Sequence, residues 1–154
     1  MARKPHEDSF DGNEGDDFFE GDRHQNVIRG NGGNDTLTGR GGGDKILGDA
    51  GNDVLKGGAG DDRLVGGDGD DQLFGGEGDD KIVAGFGTDV ANGGLGDDML
   101  ILDGEFAEWE AEETSGGYVF SRGDEQVTAL YFELFKFDDR IVPPDPGPLF
   151  QELL

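Results

Sequence analysis

At 154 residues the chain has room for one ordinary domain, or for one repeat array with a cap, and for no more. Hydrophobic residues make up only 32%, glycine occurs 31 times and the formal net charge is -24, so apolar burial alone is too thin to hold a conventional globule together. A chain this acidic repels nucleic acid and anionic membrane and attracts cations, and the absence of cysteine removes disulfides, thiolate catalysis and thiolate zinc sites.

Residues 1–11 read as an N-terminal extension in which Arg3 and Lys4 are not followed by the apolar run of a secretory leader. No segment of the chain is apolar over the length of a membrane span. From Gly12 to Ile101 a nine-residue period runs without insertion or deletion, in units starting at Gly12, Gly21, Gly30, Gly39, Gly48, Gly57, Gly66, Gly75, Ala84 and Gly93. The clearest are GGAGDDRLV (57–65), GGDGDDQLF (66–74) and GGEGDDKIV (75–83). Position eight is always apolar, running Phe19, Ile28, Leu37, Ile46, Leu55, Leu64, Leu73, Ile82, Ala91 and Leu100. One apolar residue in nine excludes a helix, whose stripe recurs every three or four residues. Six turn-forming residues followed by three with an apolar centre instead predict short strands joined by tight turns. Glycines at positions one and four would supply φ > 0, and position two holds Gly, Asn or Asp everywhere except Arg40. Two units then make one coil, so ten make about five 18-residue coils of a parallel β-roll, roughly 20–25 Å long at the usual strand spacing.

Position six is aspartate in nine units (Asp17, Asp35, Asp44, Asp53, Asp62, Asp71, Asp80, Asp89 and Asp98) and Asn26 in the second, which also carries His24 at position four. Stacked turns would hold these carboxylates and inward-pointing carbonyls of one coil against those of the next, an all-oxygen cage suited to a hard cation. Calcium accepts six to eight oxygens in flexible geometry, magnesium demands strict octahedral geometry, and zinc would want cysteine or histidine.

The repeat resembles the RTX (repeats-in-toxin) family, with its signature G-G-x-G-x-D-x-U-x, a motif that carries its own mechanism of calcium binding. The resemblance covers residues 12–101 and implies a parallel β-roll with one calcium between each pair of stacked turns, in bacterial proteins exported by type I secretion. Mapped onto this chain, it implies side-chain ligands from the nine position-six aspartates and Asn26. Backbone ligands would come from the turn glycines Gly30, Gly33, Gly39, Gly42, Gly48, Gly51, Gly57, Gly60, Gly66, Gly69, Gly75, Gly78, Gly87, Gly93 and Gly96. The turns at Gly12, Gly30, Gly48, Gly66 and Ala84 would line one edge and those at Gly21, Gly39, Gly57, Gly75 and Gly93 the other. Four gaps per edge hold up to about eight ions, the gap beside His24 and Asn26 being the weakest. Eight divalent ions would take the formal charge from -24 to about -8.

From Leu102 the period stops and aromatics concentrate: Trp109, Tyr118, Phe120, Tyr131, Phe132, Phe135 and Phe137. Residues 102–142 read as a β cap over the last coil, with strands around 106–113, 117–121 and 126–137. Residues 143–154 read as a Pro-rich linker and a short amphipathic end that serves as a secretion signal or docks on the cap.

Other signals dissolve into the repeat. Arg122-Gly123-Asp124 spells an adhesion tripeptide but sits where a hairpin turn is expected, and Asn34-Asp35-Thr36 matches a glycosylation acceptor inside a repeat that needs Asp35 for metal. An EF-hand would need helical flanks and a closing glutamate. His24 reads as part of a decayed repeat, and the paired carboxylates recur at metal-ligand spacing without the cleft that acid/base catalysis needs. The sequence thus describes a non-enzymatic, calcium-binding, extracellular bacterial module that folds on meeting calcium. Competing readings are an adhesive or surface-assembly protein with a protein or glycan partner, and an accessory C-terminal domain of a secreted hydrolase.

Overall fold

A computed structural model describes residues 9–143; the N-terminal residues 1–8 and residues 144–154, which include most of the Pro-rich linker and the amphipathic end, lie outside the described residues. The described chain is all-β apart from one turn of 3-10 helix at Phe106–Glu108. Strands β1 (Ser9–Asp11), β3 (Val27–Gly32), β5 (Lys45–Ala50), β7 (Arg63–Asp68), β9 (Lys81–Phe86) and β11 (Met99–Ile101) form one parallel sheet. Strands β2 (Phe18–Glu20), β4 (Thr36–Gly41), β6 (Val54–Ala59), β8 (Gln72–Glu77) and β10 (Thr88–Leu95) form the other. Each strand pairs with the one two later at an offset of eighteen residues, as in Leu64 with Ile82 and Leu55 with Leu73. This is the β-roll that the nine-residue period predicts.

The strands are longer than the period suggests. They cover positions seven to nine of one unit and one to three of the next, as in Arg63–Asp68, leaving only positions four to six for the turn. The reason is that positions one to three remain extended enough to continue the ladder between coils: Gly67 pairs with Gly85, and Asp68 with Phe86. Left-handed backbone falls at positions two and four, and not at position one. Asn31, Arg40 and Asp49 adopt φ of 78°, 82° and 74° at position two, where Gly58, Gly67 and the later units carry glycine at higher φ. There a substitution meets both strain and backbone: Gly67 has φ 126°, and a Cβ on it would collide with the Asp49 carbonyl. Gly67→Ala should therefore destabilise the calcium-loaded chain by about 2–4 kcal/mol, whereas Asp49→Gly, at the same position one coil earlier, should be within about 1 kcal/mol of neutral. Thermal unfolding in saturating calcium separates the two.

The interior is two columns of position-eight side chains, with Ile28, Ile46, Leu64, Ile82 and Leu100 facing Leu37, Leu55, Leu73 and Ala91, all fully buried. At the N-terminal end Phe10 stacks on Phe19 at 4.4 Å, closing the first coil. At the other end the cap continues both sheets. The strand expected over 126–137 is in fact two, β14 (Glu125–Leu130) and β15 (Leu134–Lys136), because the chain turns a corner at Tyr131 (φ 56°) and crosses from one sheet to the other. Strand β14 pairs parallel with β10 and β15 parallel with β11, so together they make a further coil without the glycine motif. Strand β13 (Gly117–Arg122) then adds antiparallel to β14, β12 (Glu110–Thr114) antiparallel to β13, and β16 (Ile141–Val142) antiparallel to β15. Phe120, Phe135 and Phe137 pack edge to face, 4.8 Å apart for the first two, over the end of the roll.

Candidate metal centre

The position-six side chains are placed by the turn that precedes each strand, and they form two buried columns. Asp35, Asp44, Asp53, Asp62, Asp71, Asp80, Asp89 and Asp98 are each at most 3% exposed. Within a column, the backbone N–H of one position-six residue donates to Oδ1 of the aspartate eighteen residues later. This ladder runs from Asp17 and Asn26 up to Asp80 at 2.6–2.9 Å. The other oxygen, Oδ2, has no hydrogen-bond partner in any of the eight aspartates from Asp35 to Asp98. A buried carboxylate oxygen left without a partner costs more than a chain with so small a core can offset, and eight of them define a place for cations.

The surroundings of each Oδ2 specify which cation. It lies against the Cα of the glycine five residues earlier and beside the position-one carbonyl of the next coil: Asp35 beside Gly48 O, Asp44 beside Gly57 O, Asp53 beside Gly66 O, Asp62 beside Gly75 O. A Cβ on Gly30, Gly39, Gly48, Gly57, Gly66 or Gly75 would collide with both oxygens. Glycine stands at position one to leave this cradle open, not for its φ. The position-four glycines stack differently, Gly51 over the Gly33 carbonyl, Gly69 over Gly51, and Gly87 over Gly69. Among the described residues no three His, Cys, Asp or Glu side chains converge. Carboxylate and carbonyl oxygens make up the donor set, which matches calcium and is poor for zinc.

Two units differ. In the first coil Asp17 Oδ2 accepts from Asn13 N at 2.8 Å, and Asn26 Oδ1 accepts from Asp22 N at 3.1 Å, so protein donors already reach both cradles. His24, at the surface, bonds to Asp22 through its own N–H. Of the eight unpartnered oxygens, six fall in gaps between repeats; those of Asp89 and Asp98 end the columns beside the cap. The period predicts at most about eight ions, all between repeats and weakest beside His24 and Asn26, and no site at the cap. It also passes over the Ala84 carbonyl, which lies beside Asp71 Oδ2 as a glycine carbonyl does elsewhere, because unit nine carries alanine at position one. Position five was read only as charge, yet its side chains form a second ladder in the opposite direction. Asn52 N donates to Asn34 Oδ1, Asp70 N to Asn52 Oδ1, and Asp79 N to Asp61 Oδ1, at 2.9–3.0 Å.

The chain answers to one known family: the sequence pattern of the RTX calcium-binding nonapeptide repeat matches in four copies, over residues 7–37, 20–55, 38–73 and 65–100. The protein belongs to the RTX calcium-binding repeat family. No curated protein matches the chain. The RTX repeats make it a calcium-binding structural module, and the cages built around Oδ2 are where this chain offers its oxygens. No helix among the described residues is long and apolar enough to cross a membrane.

Burial raises the position-six carboxyl groups from Asp35 to Asp98 of this RTX roll above their ordinary value of 3.8. Desolvation is the largest cause; neighbouring carboxylates add to it, and the backbone N–H bond offsets part of it. Asp62 and Asp71 are pushed up to about 7, and Asp53, Asp80 and Asp89 to about 6. Without metal, the folded state therefore holds protons more tightly than the unfolded one. That contribution to stability is fully present below 3.8 and is lost as pH rises through 6 to 7. Acid should thus partly substitute for calcium: the metal-free chain should gain β structure by circular dichroism between pH 8 and pH 4.5. Protons and calcium compete for the same oxygens, so the calcium midpoint should move to higher concentration as pH falls from 8 to 5.5. A midpoint independent of pH would contradict the assignment of Oδ2 as a ligand.

Proposed function

We propose that this RTX chain is an extracellular module that stays unfolded where calcium is scarce and folds where it is plentiful, serving as a structural and export element and not as an enzyme. The observation that carries this reading is the set of eight buried, unpartnered Oδ2 atoms. Folding brings them together, and only a bound cation compensates them, so folding and binding are one equilibrium. In cytosol, where free calcium is low, mutual repulsion within a chain of net charge -24 keeps it expanded and able to thread a secretion channel. Outside the cell, calcium orders it, and folding on the far side opposes return. This suits the type I route of bacterial export that the RTX resemblance implies. The number of ions per chain follows the cages: six in gaps between repeats, and more where the roll meets the cap.

A calcium titration followed by far-UV circular dichroism tests the reading. The expected midpoint lies above the sub-micromolar level of cytosol and below the millimolar level of extracellular fluid. A chain already ordered at nanomolar calcium could not be switched by export, and that result would remove the proposal.

A further inference from the structure

We propose that the cap carries a calcium site of its own at the end of one column, formed by Asp98, the Tyr131 carbonyl and Glu133, which clamps the cap to the last repeat. The inference rests on the reading of the cradles as calcium cages, and goes beyond it because Tyr131 and Glu133 lie outside the repeats; the family match ends at residue 100.

Three features of a repeat cage recur here with cap residues. Asp98 is fully buried and its Oδ2 has no partner. A Cβ on Gly93 would collide with Asp98 Oδ2 and the Tyr131 carbonyl, as one on Gly75 would collide with Asp80 Oδ2 and the Gly93 carbonyl. Tyr131 O thus stands where the next position-one carbonyl would be. Finally, Asp98 N donates to Glu133 Oε2 at 2.7 Å, continuing the bond in which Asp80 N donates to Asp98 Oδ1 at 2.9 Å. Glu133 takes the place of the next position-six aspartate, immediately before Leu134, which pairs with Met99.

The cap reaches this arrangement with a tighter turn. In a repeat, the carboxylate follows the carbonyl at an offset of five residues, as Asp98 follows Gly93; in the cap the offset is two, from Tyr131 to Glu133. The shortening is accommodated by Tyr131 at φ 56°, a left-handed conformation costly for a tyrosine, and by the extra methylene of glutamate over aspartate. Tyr131 packs its ring into nothing that explains this, since it is 65% exposed; the position of its carbonyl does.

The other column ends on Asp89, whose Oδ2 is equally buried and unpartnered but meets a different set of cap residues. There β14 sets Val127 beside Asp89. Glu125, the cap carboxylate that acts on Asp89, already accepts from Arg122 Nη2 at 2.8 Å and Nε at 3.2 Å, and unit nine has Ala84 at position one. The clamp is therefore one-sided.

The first arm of the test uses the full chain with calcium alone. Ions per chain are counted by native mass spectrometry, Trp109 fluorescence reports the cap, and far-UV circular dichroism reports the roll. Glu133→Gln keeps an oxygen to accept from Asp98 N but removes the charge. It should hold one ion fewer and raise the calcium midpoint of the Trp109 signal on the order of tenfold, with the far-UV midpoint moved less than about twofold. An unchanged count with an unchanged Trp109 midpoint would overturn the clamp while leaving the repeat cages intact. A wild-type chain that binds no calcium at all would instead overturn the reading on which the clamp rests. A second arm leaves every ligand in place. With terbium as the probe, Tyr131→Phe keeps the carbonyl but removes the phenol borne by the ligand residue, so sensitised emission should fall clearly below wild type; equal emission would overturn the site.

Discussion

Chelating calcium from the folded chain should expand it from a radius of gyration of about 15 Å to about 40 Å, as read by small-angle scattering, with loss of the β signal in circular dichroism. The expectation follows from what remains when the ions leave. A typical coil contributes two buried aliphatic side chains, such as Leu55 and Leu64, while other apolar side chains, Phe86 and Leu95 among them, remain exposed. Against that stand columns of carboxylates stacked directly on one another, Asp44 under Asp62 under Asp80, with every Oδ2 desolvated and unpaired. Like charges at this spacing repel, and burial removes the water that would screen them. Among the described residues nothing else can take over: the chain has no cysteine, and its aromatic contacts lie at the two ends of the roll. Restoring calcium should return the compact state.

Asp62→Asn should lower stability in saturating calcium by about 3 kcal/mol, moving the thermal midpoint down by about 6–12 °C, while Asp61→Asn should be within about 0.5 kcal/mol of wild type. The two residues are adjacent and chemically identical, so the difference isolates position. Asp62 is 3% exposed, accepts from Asp44 N through Oδ1 and presents Oδ2 to the cage beside Gly75 O. An asparagine there can keep the hydrogen bond but deletes the charged ligand; Asn26, the natural asparagine at position six, instead accepts from Asp22 N at the cradle. Asp61 is exposed and only accepts from Asp79 N, a role that Asn34 and Asn52 already fill with an amide. Thermal melts of both variants in the same calcium buffer decide the matter; equal losses would mean that charge at the turn, and not the cage, is what counts.

The roll was legible because its grammar is local. A period of nine with one apolar position admits short stacked strands and little else, and Ile46, Leu64 and Ile82 stack at the offset that the period sets. The position-six aspartates stand out in the sequence as candidate ligands through their recurrence. What escaped was whatever depends on a neighbouring coil. Position-one glycines look like φ > 0 residues in one dimension, and only stacking shows that Gly57 is needed because Asp62 Oδ2 and Gly75 O occupy the space of a side chain. Arg122-Gly123-Asp124 reads as a turn and forms one, with Arg122 held over Trp109 at 4.6 Å and bonded to Glu125. In the cap there is no period to follow. A run of alternating aromatics from Val127 to Phe137 looks like one strand, and the corner at Tyr131 is set by where the last coil ends and not by any turn residue. Glu133 is unremarkable in sequence and becomes a ligand candidate only when Leu134 is seen to pair with Met99.

A crystal structure grown in calcium, with anomalous scattering recorded near the calcium edge, would test the central claim most directly. Peaks should lie within about 2.3–2.6 Å of Oδ2 of Asp35, Asp44, Asp53, Asp62, Asp71 and Asp80. Ordered water donating to those oxygens, with no anomalous peak beside them, would contradict it.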